Sequence, residues 1–454
     1  MNEKKKIIIP LESQIYIRNY LETKAFKEIE KNFECIFIAP KKIIDKKFKG
    51  KIKYFYSTTS LREKLTNFFF NVTTFRFRKL SKTFKFRLKL INSIGFERDN
   101  NGKIIFSKVS LKRIFVLFKF NIYNIIFGNL VFYTLLNFFF TKILSSSDVI
   151  NNIIQKEKPE LILYPTCGFE TSTLDFLKIS KKNKIKSIFL IDNWDNLSSK
   201  MVFPILPKKI YVWGKQSQEH AINIHNFEKK NVEIIGTPRF DVYKKRLKVK
   251  KIKKKYILFL GQFLPYNEEE VLNYLENIIS NNYLLKNCKI IYRPHPWRSE
   301  TNNINFKNFK NVILDPQLEK HFKKRLNFYK SRSFQPNLNY YSSIIKNSHF
   351  VISGATSMVL ESLIMKKKVI LLGNDDKKNY TTMKTVLNTN EHFFGIEKIK
   401  NISICSDLIK LEKKVLSFYK SPKFQKCKKI DYFLYFNKNK NYSSILYNKI
   451  SNEL

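Results

Sequence analysis

Several short segments carry side chains able to do chemistry, and most follow directly on an apolar run. Behind Lys289-Ile290-Ile291 comes Tyr292-Arg293-Pro294-His295-Pro296-Trp297. The two prolines fix φ and hold their predecessors extended, so His295 is presented stiffly. Arg293 and His295 can donate to phosphate oxygens, or His295 can exchange a proton. Behind Val351-Ile352 comes Ser353-Gly354-Ala355-Thr356-Ser357, running into Met358-Val359-Leu360-Glu361. Gly354 and Ala355 allow a tight turn, and Thr356 or Ser357 caps a helix whose N-terminus suits a diphosphate. Glu361 lies about one turn further on, where it can accept from ribose hydroxyls. Gly236-Thr237-Pro238-Arg239-Phe240-Asp241 follows another strand, with Arg239 a phosphate contact and an interdomain hinge turn the plainer reading.

Two further segments offer general bases. Ile191-Asp192-Asn193-Trp194-Asp195 ends a strand, and Asp195 or Asp192 can deprotonate a hydroxyl. Pro10-Leu11-Glu12-Ser13 forms the first strand-to-helix loop, with Glu12 a second base and Arg18 an anion contact. The plain readings are an Asx turn for the first and a helix cap for the second. No G-x-x-x-x-G-K-[ST], G-x-G-x-x-G, H-E-x-x-H or D-x-D occurs, so the motifs imply no metal and no dinucleotide cofactor. His220 and His225 are five apart and read as helix-surface residues, and Asp375-Asp376 as a solvated loop pair.

The elements that must position these groups alternate strand and helix. Strands are expected at 6–10, 34–40, 52–56, 161–164, 187–192, 209–213 and 232–235, then at 256–260, 289–292, 311–314, 350–353 and 368–372. Such alternation implies parallel sheet covered by helices. The fold class is therefore α/β, with two Rossmann-like domains facing a cleft. The expected division is an N-terminal domain over 1–243 with an insertion at 60–148, and a basic linker over 244–255. A C-terminal nucleotide domain over 256–405 and a helical tail over 406–454 complete it.

Charge is uneven. The 454 residues carry 85 Lys+Arg and 37 Asp+Glu, a net +48, and 43% are hydrophobic, which excludes a largely disordered chain. Between Lys64 and Leu144 there are fifteen cations and two acids, and rings alternate with cations in Phe75-Arg76-Phe77-Arg78. Lys244–Lys255 holds nine cations and no acid. Such charge predicts an anionic partner. Phe120–Thr141 lacks any charge, and reads as a membrane span, an interfacial helix pair or a core helix. Five widely spaced cysteines fit a reducing cytosol, and the run after Met1 is too short for a signal peptide.

Four elements in order (Gly236-Thr237-Pro238-Arg239-Phe240-Asp241, Gly261-Gln262, Arg293-Pro294-His295-Pro296, and Ser353-Gly354-Ala355-Thr356-Ser357 with Glu361) resemble GT-B-fold transferases of bacterial surface polysaccharides. The nearest groups are the CDP-glycerol glycerophosphotransferase-like and capsule-biosynthesis enzymes. The likeness spans about residues 155 to 375, and the tail 436–450 resembles their terminal helix. It implies a donor nucleotide on the C-terminal domain, with His295 at the diphosphate, Thr356 and Ser357 at phosphate, and Glu361 near the ribose. Gly261, Ser353, Arg293 and Arg239 complete the expected nucleotide-contacting set, and no bound metal is required. Glycerophosphotransferases tend to have Asp-Tyr-Ser-Ser where this chain has Ser353-Gly354-Ala355-Thr356-Ser357, which favours a nucleotide sugar over a CDP-polyol.

The expected function is an inverting, metal-independent glycosyltransferase on the inner face of the cell membrane, peripheral and cytoplasmic. It moves a sugar from a nucleotide donor to a glycan or lipid-linked acceptor, with Glu12 or Asp195 as base and the basic insertion on anionic lipid. The alternatives are a CDP-glycerol-type polyol-phosphate transferase, a nucleotide-sugar 2-epimerase, and a non-enzymatic nucleic-acid-binding protein. No nucleic-acid motif supports the last, and nucleic acid is not an expected partner.

Overall fold

The computed structural model describes residues 4–454 apart from 44–47, 78–79, 93–95, 100, 102, 106–109, 169, 245–254, 299–302 and 325–333. The chain divides into two compact units. The first holds Met1–Asn92, Ser110–Asp241 and Asp431–Leu454; the second holds Ser93–Val109 and Val242–Ile430.

In the first unit β1 (Lys6–Pro10), β2 (Glu34–Pro40), β3 (Ile52–Tyr56), β4 (Leu161–Thr166), β5 (Lys186–Ile191), β6 (Lys209–Val212) and β7 (Val232–Ile234) form one sheet. Its order is β3-β2-β1-β4-β5-β6-β7, and every pairing is parallel. The strands are short Ile-, Phe- and Leu-rich runs buried on both faces, as parallel strands under helices must be. In the second unit β8 (Lys255–Leu260), β9 (Cys288–Arg293), β10 (Val312–Leu314), β11 (Val351–Ser353), β12 (Val369–Leu372) and β13 (Ile402–Cys405) pair in the order β10-β9-β8-β11-β12-β13, again all parallel. Each sheet reverses its winding beside its own first strand, between β1 and β4 and between β8 and β11. Ligands of doubly wound sheets bind at such switch points, outside the carboxyl ends of the strands.

Among the described residues, twelve of the thirteen strands in these two sheets match the expected runs to within two residues. The edge strand β13 was not anticipated, because Ile402-Ser403-Ile404-Cys405 is too short and half-polar to stand out. The expected linker falls almost wholly outside the described residues.

The insertion consists of α1 (Ser60–Phe77), α2 (Lys82–Asn92), α3 (Leu111–Gly128) and α4 (Leu130–Phe138). Between α2 and α3 a two-stranded ribbon, Glu97–Arg98 with Ile104–Ile105, belongs to the second unit. There Arg98 bonds Asp375 through two guanidinium nitrogens and donates its backbone N–H to Lys378 O at 2.9 Å. Asp376 is buried and accepts from Asn267 N at 3.0 Å. The expected solvated Asp pair is thus a docking point for the ribbon.

In the first unit α5 (Thr173–Lys182) covers the sheet, and in the second α6 (Glu268–Asn281) and α7 (Met358–Ile364) follow β8 and β11. The terminal α8 (Tyr442–Ser451) returns to the first unit, burying Tyr442, Leu446 and Ile450 in its core. The expected tail over 406–454 is therefore divided, its first half remaining with the second unit. His225, expected at a surface, is buried among Phe77, Phe84 and Phe203, with Nε2 2.6 Å from Leu197 O. Burial lowers its pKa to about 4. All five cysteines are free thiols.

Candidate active site

At the switch point of the first sheet, Glu12 follows β1 and Glu170 follows β4. The Glu170 carboxylate is held by Thr166 Oγ1 (2.6 Å) and by the backbone N–H groups of Cys167 (2.8 Å) and Gly168 (3.1 Å), with Tyr16 and Thr173 hydroxyls also donating. Gly168 sits at φ +91°, and a Cβ there would lie 2.2 Å from Met201 Cγ, so only glycine makes this turn. Glu12 is the opposite kind of carboxyl. Its Oε1 is buried and has no hydrogen-bond partner among the described residues. Burial pushes its pKa up to about 8, the charges of Glu170 and Asp175 add to this, and a Ser172 hydrogen bond and Lys42 oppose it.

Asp192, one residue past β5, joins this edge. It is buried, accepts from Asn19 Nδ2 at 2.8 Å, and has a raised pKa. Burial is the main cause; the Asn19 bond and the Arg239 and Arg18 guanidiniums pull the other way. Arg239 is nearly buried and lies over the Trp213 ring, 5.2 Å from its centroid. It therefore belongs with the first unit's carboxylates. Asp195, the expected base, is ion-paired to Lys200 at 2.8 Å and accepts from Ser199 Oγ at 3.0 Å. Asp192 is electrostatically coupled to Glu170 and Arg239, and Asp195 to Arg87. Two more buried oxygens at strand ends, Asn193 Oδ1 and Thr237 Oγ1, have no partner among the described residues. Orphaned polar atoms at one sheet edge are what an unfilled polar site presents.

Glu170 was missed by sequence reading. Its signal was Thr166-Cys167-Gly168, a strand end running into a glycine turn, but an acid two residues further on has no spacing rule of its own.

At the second unit's switch point, Gln262 follows β8 and Ala355 follows β11. Gln262 Oε1 accepts from Ala355 N at 2.8 Å, and Gln262 N donates to Glu268 Oε1 at 2.8 Å. A Cβ on Gly261 would lie 2.6 Å from Glu268 Oε2 and 3.0 Å from Pro294 Cα, so the expected Gly261 is a close-approach position between loops. His295 is half-buried between the rings of Phe263 (5.3 Å) and Trp297 (5.5 Å). Its Nδ1 accepts from Trp297 N at 3.2 Å, which assigns the neutral ring's proton to Nε2 as a donor. Thr356 and Ser357 are also half-buried, and Thr356 Oγ1 accepts from Met358 N at 3.4 Å.

The remaining expected contacts are inward. Arg293 is buried, paired with Asp315, bonded to Gln317 Oε1 at 2.8 Å and stacked over Tyr341 at 4.2 Å. Its fork is thus committed to holding β9 and β10 ends together. Ser353 is buried and donates to Gly354 O at 2.9 Å. Glu361 is buried and accepts from Tyr243 Oη. Among the described residues no three His, Cys, Asp or Glu side chains converge as a metal-binding group.

No protein-family model and no curated protein matches the chain. Solved structures do. The UDP-GlcNAc 2-epimerase of Methanocaldococcus jannaschii superposes with a TM-score of 0.51 at 12% identity, covering 98% of this chain and 99% of that one. A structure assigned to the same enzyme class from Listeria monocytogenes gives 0.51 at 10% identity, covering 99% and 95%. The fold is GT-B. At these identities the likeness extends to two parallel, doubly wound units and their connectivity.

Proposed function

We propose that the protein is an enzyme acting on a nucleotide-activated sugar. Specifically, we propose an inverting glycosyltransferase that serves a membrane-associated glycan or lipid-linked acceptor in surface-polysaccharide biosynthesis, at the inner face of the cell membrane. The observation that carries this is Glu12, a carboxyl at a switch point with an unpartnered buried oxygen and a pKa near 8. A general base works best with a pKa near the working pH. In this reading Glu12 takes the proton of an acceptor hydroxyl. The oxygen attacks the anomeric carbon from the face opposite the diphosphate. The carbon–oxygen bond to the leaving group breaks, and its electron pair departs with the nucleoside diphosphate. In the second unit His295 Nε2–H, with the Thr356 and Ser357 hydroxyls, offers donors suited to a diphosphate.

A second reading, the nucleotide-sugar 2-epimerase, is favoured by the carboxylate cluster and by the activity named for the neighbouring structures. Glu12 and Asp192 both have raised pKa values, and a C2 epimerisation needs one group to remove a proton and another to return it.

The test is thermal-shift titration with UDP, GDP, CMP and CDP on wild type and His295→Ala. One nucleotide should stabilise the wild type, and the variant should bind it about tenfold more weakly, the value of one charged hydrogen bond. CDP alone would favour the polyol-phosphate donor. If none stabilises, and His295→Ala changes nothing, the reading fails. Incubation with UDP-GlcNAc in D2O separates the remaining two: deuterium at C2 means epimerisation, and its absence with acceptor-dependent UDP release means transfer.

A further inference from the structure

The helix pair α3–α4 is apolar on two sides, and only one of them is covered. The inner side of α3 packs on α1: Phe120 against Phe75 at 4.7 Å, and Tyr123 and Phe127 against Phe68 at 5.5 and 5.7 Å. On the outer side Leu111, Phe115, Phe118, Ile122 and Ile125 form a second stripe at helical spacing, and all are exposed. Phe115 is 68% and Ile125 73% exposed. Val131, Phe132, Leu135 and Phe138 continue the exposed surface along α4. A soluble helix turns polar side chains to water, and a contiguous apolar face of this size marks a contact surface.

Charge says what covers it. The two helices and the π-helical turn Phe139–Ile143 carry Lys112, Arg113, Lys119 and Lys142, and no acid occurs between Asp99 and Asp148. Lys119 stands beside the stripe, four residues after Phe115 and three before Ile122. A groove of about 830 Å³ at the pair's end adds Lys181 and Lys182 beside Ile143, Leu144 and Leu206; Asp148 also lines it, and Lys178 there bonds the Phe140 and Leu144 carbonyls. A second copy would set cations against cations; an anionic bilayer supplies both the apolar layer and the counter-charge.

Geometry says how deep. Among the described residues no single helix is long and apolar enough to cross a membrane, and the pair is bent by 89°. Its arms of 18 residues, and of nine plus five, are about 27 and 21 Å long at 1.5 Å per residue, against a hydrocarbon layer of about 30 Å. We infer that α3 and α4 form a monotopic anchor. They lie in one leaflet with the outer stripe among the acyl chains and Lys112, Lys119, Lys142 at the phosphates.

This supplies the membrane partner assumed in the functional reading but is measured without turnover, so either can fail alone. Full-length protein is sedimented with phosphatidylglycerol-containing vesicles and with pure phosphatidylcholine vesicles. Wild type should bind the former, be released by alkaline carbonate, and bind the latter at least about tenfold more weakly. Phe115→Ser/Phe118→Ser/Ile125→Ser should lose binding while keeping the wild-type unfolding midpoint, since these side chains are already in water. Tyr283→Ser, at an exposed ring of the second unit, should bind as wild type. Binding unchanged in the triple variant, or retention after carbonate, overturns the inference. So does a wild type that ignores vesicles but dimerises through the stripe, as shown by a monomeric triple variant in sedimentation velocity.

Discussion

Gln262 Oε1 accepts the backbone N–H of Ala355 at 2.8 Å and so ties the loops after β8 and β11 across the switch point of the second unit. The Gln262 side chain is fully buried, and its Nε2 also reaches Leu264 O at 3.3 Å. Gln262→Leu keeps the volume but leaves the half-buried Ala355 N–H and Leu264 carbonyl without this partner, at a cost of about 1–3 kcal/mol. Urea unfolding should show that loss, and nucleotide affinity should fall with it because the two loops are no longer held in register. Gly261→Ala should destabilise by about 1–3 kcal/mol by overpacking, since Pro294 Cα is backbone and cannot swing away.

Glu12 has a folded pKa raised from the carboxylate range to about 8. The sign follows directly. The folded state holds this proton more tightly than the unfolded chain, so its contribution is full below about 4.5 and is lost as pH rises through 8. Glu12→Gln should therefore gain stability relative to wild type progressively between these values, and the difference should vanish in acid. In the proposed reaction catalysis runs the other way, because Glu12 as base must be ionised. The wild-type kcat/KM should rise with pH to a plateau above about 8, and Glu12→Gln should lose about 10²–10⁴-fold and that limb with it. A pH–rate profile and melting curves over the same range check both.

Arg293 and His295 are two residues apart and should behave oppositely. Arg293→Met leaves the fully buried Asp315 carboxylate unpaired, for about 3–5 kcal/mol of lost stability. Adding Asp315→Asn should recover much of it, because the amide oxygen can still cap Gln317 N. His295→Ala should move the unfolding midpoint little and act on nucleotide binding. Chemical unfolding and nucleotide titration of the three variants separate the roles.

Asp192 and Asp195 divide similarly. Asp192→Asn removes a charge held among Asn19, Arg18 and Arg239 and should lower turnover strongly, with KM less affected. Asp195→Asn weakens the pairing with Lys200 and the coupling to Arg87 but keeps an oxygen for Ser199 Oγ, and should leave turnover near wild type. Steady-state kinetics of both variants decide which acid serves the site.

Local rules were enough for much of this. Apolar runs of four to seven residues alternating with helical stretches identified nearly every strand, and parallel sheet follows from burial on both faces. The same runs placed Glu12, His295 and the Thr356-Ser357 turn in loops after β1, β9 and β11, at the carboxyl edges of their respective sheets. What the local rules could not decide was partnership. Arg293 and His295 look alike in a Pro-rich turn, yet one faces Asp315 across β9 and β10 while the other stands half-exposed between two rings. Glu12 gains its raised pKa from burial and from Glu170, which is 158 positions away in sequence and arrives through the β1–β4 pairing. The insertion's composition is basic and apolar, but only packing on α1 divided α3 into a covered side and an open one. Pattern and composition fix which residues can be buried or charged. Which charges meet depends on contacts between distant segments, and those exist only once the sheets have wound.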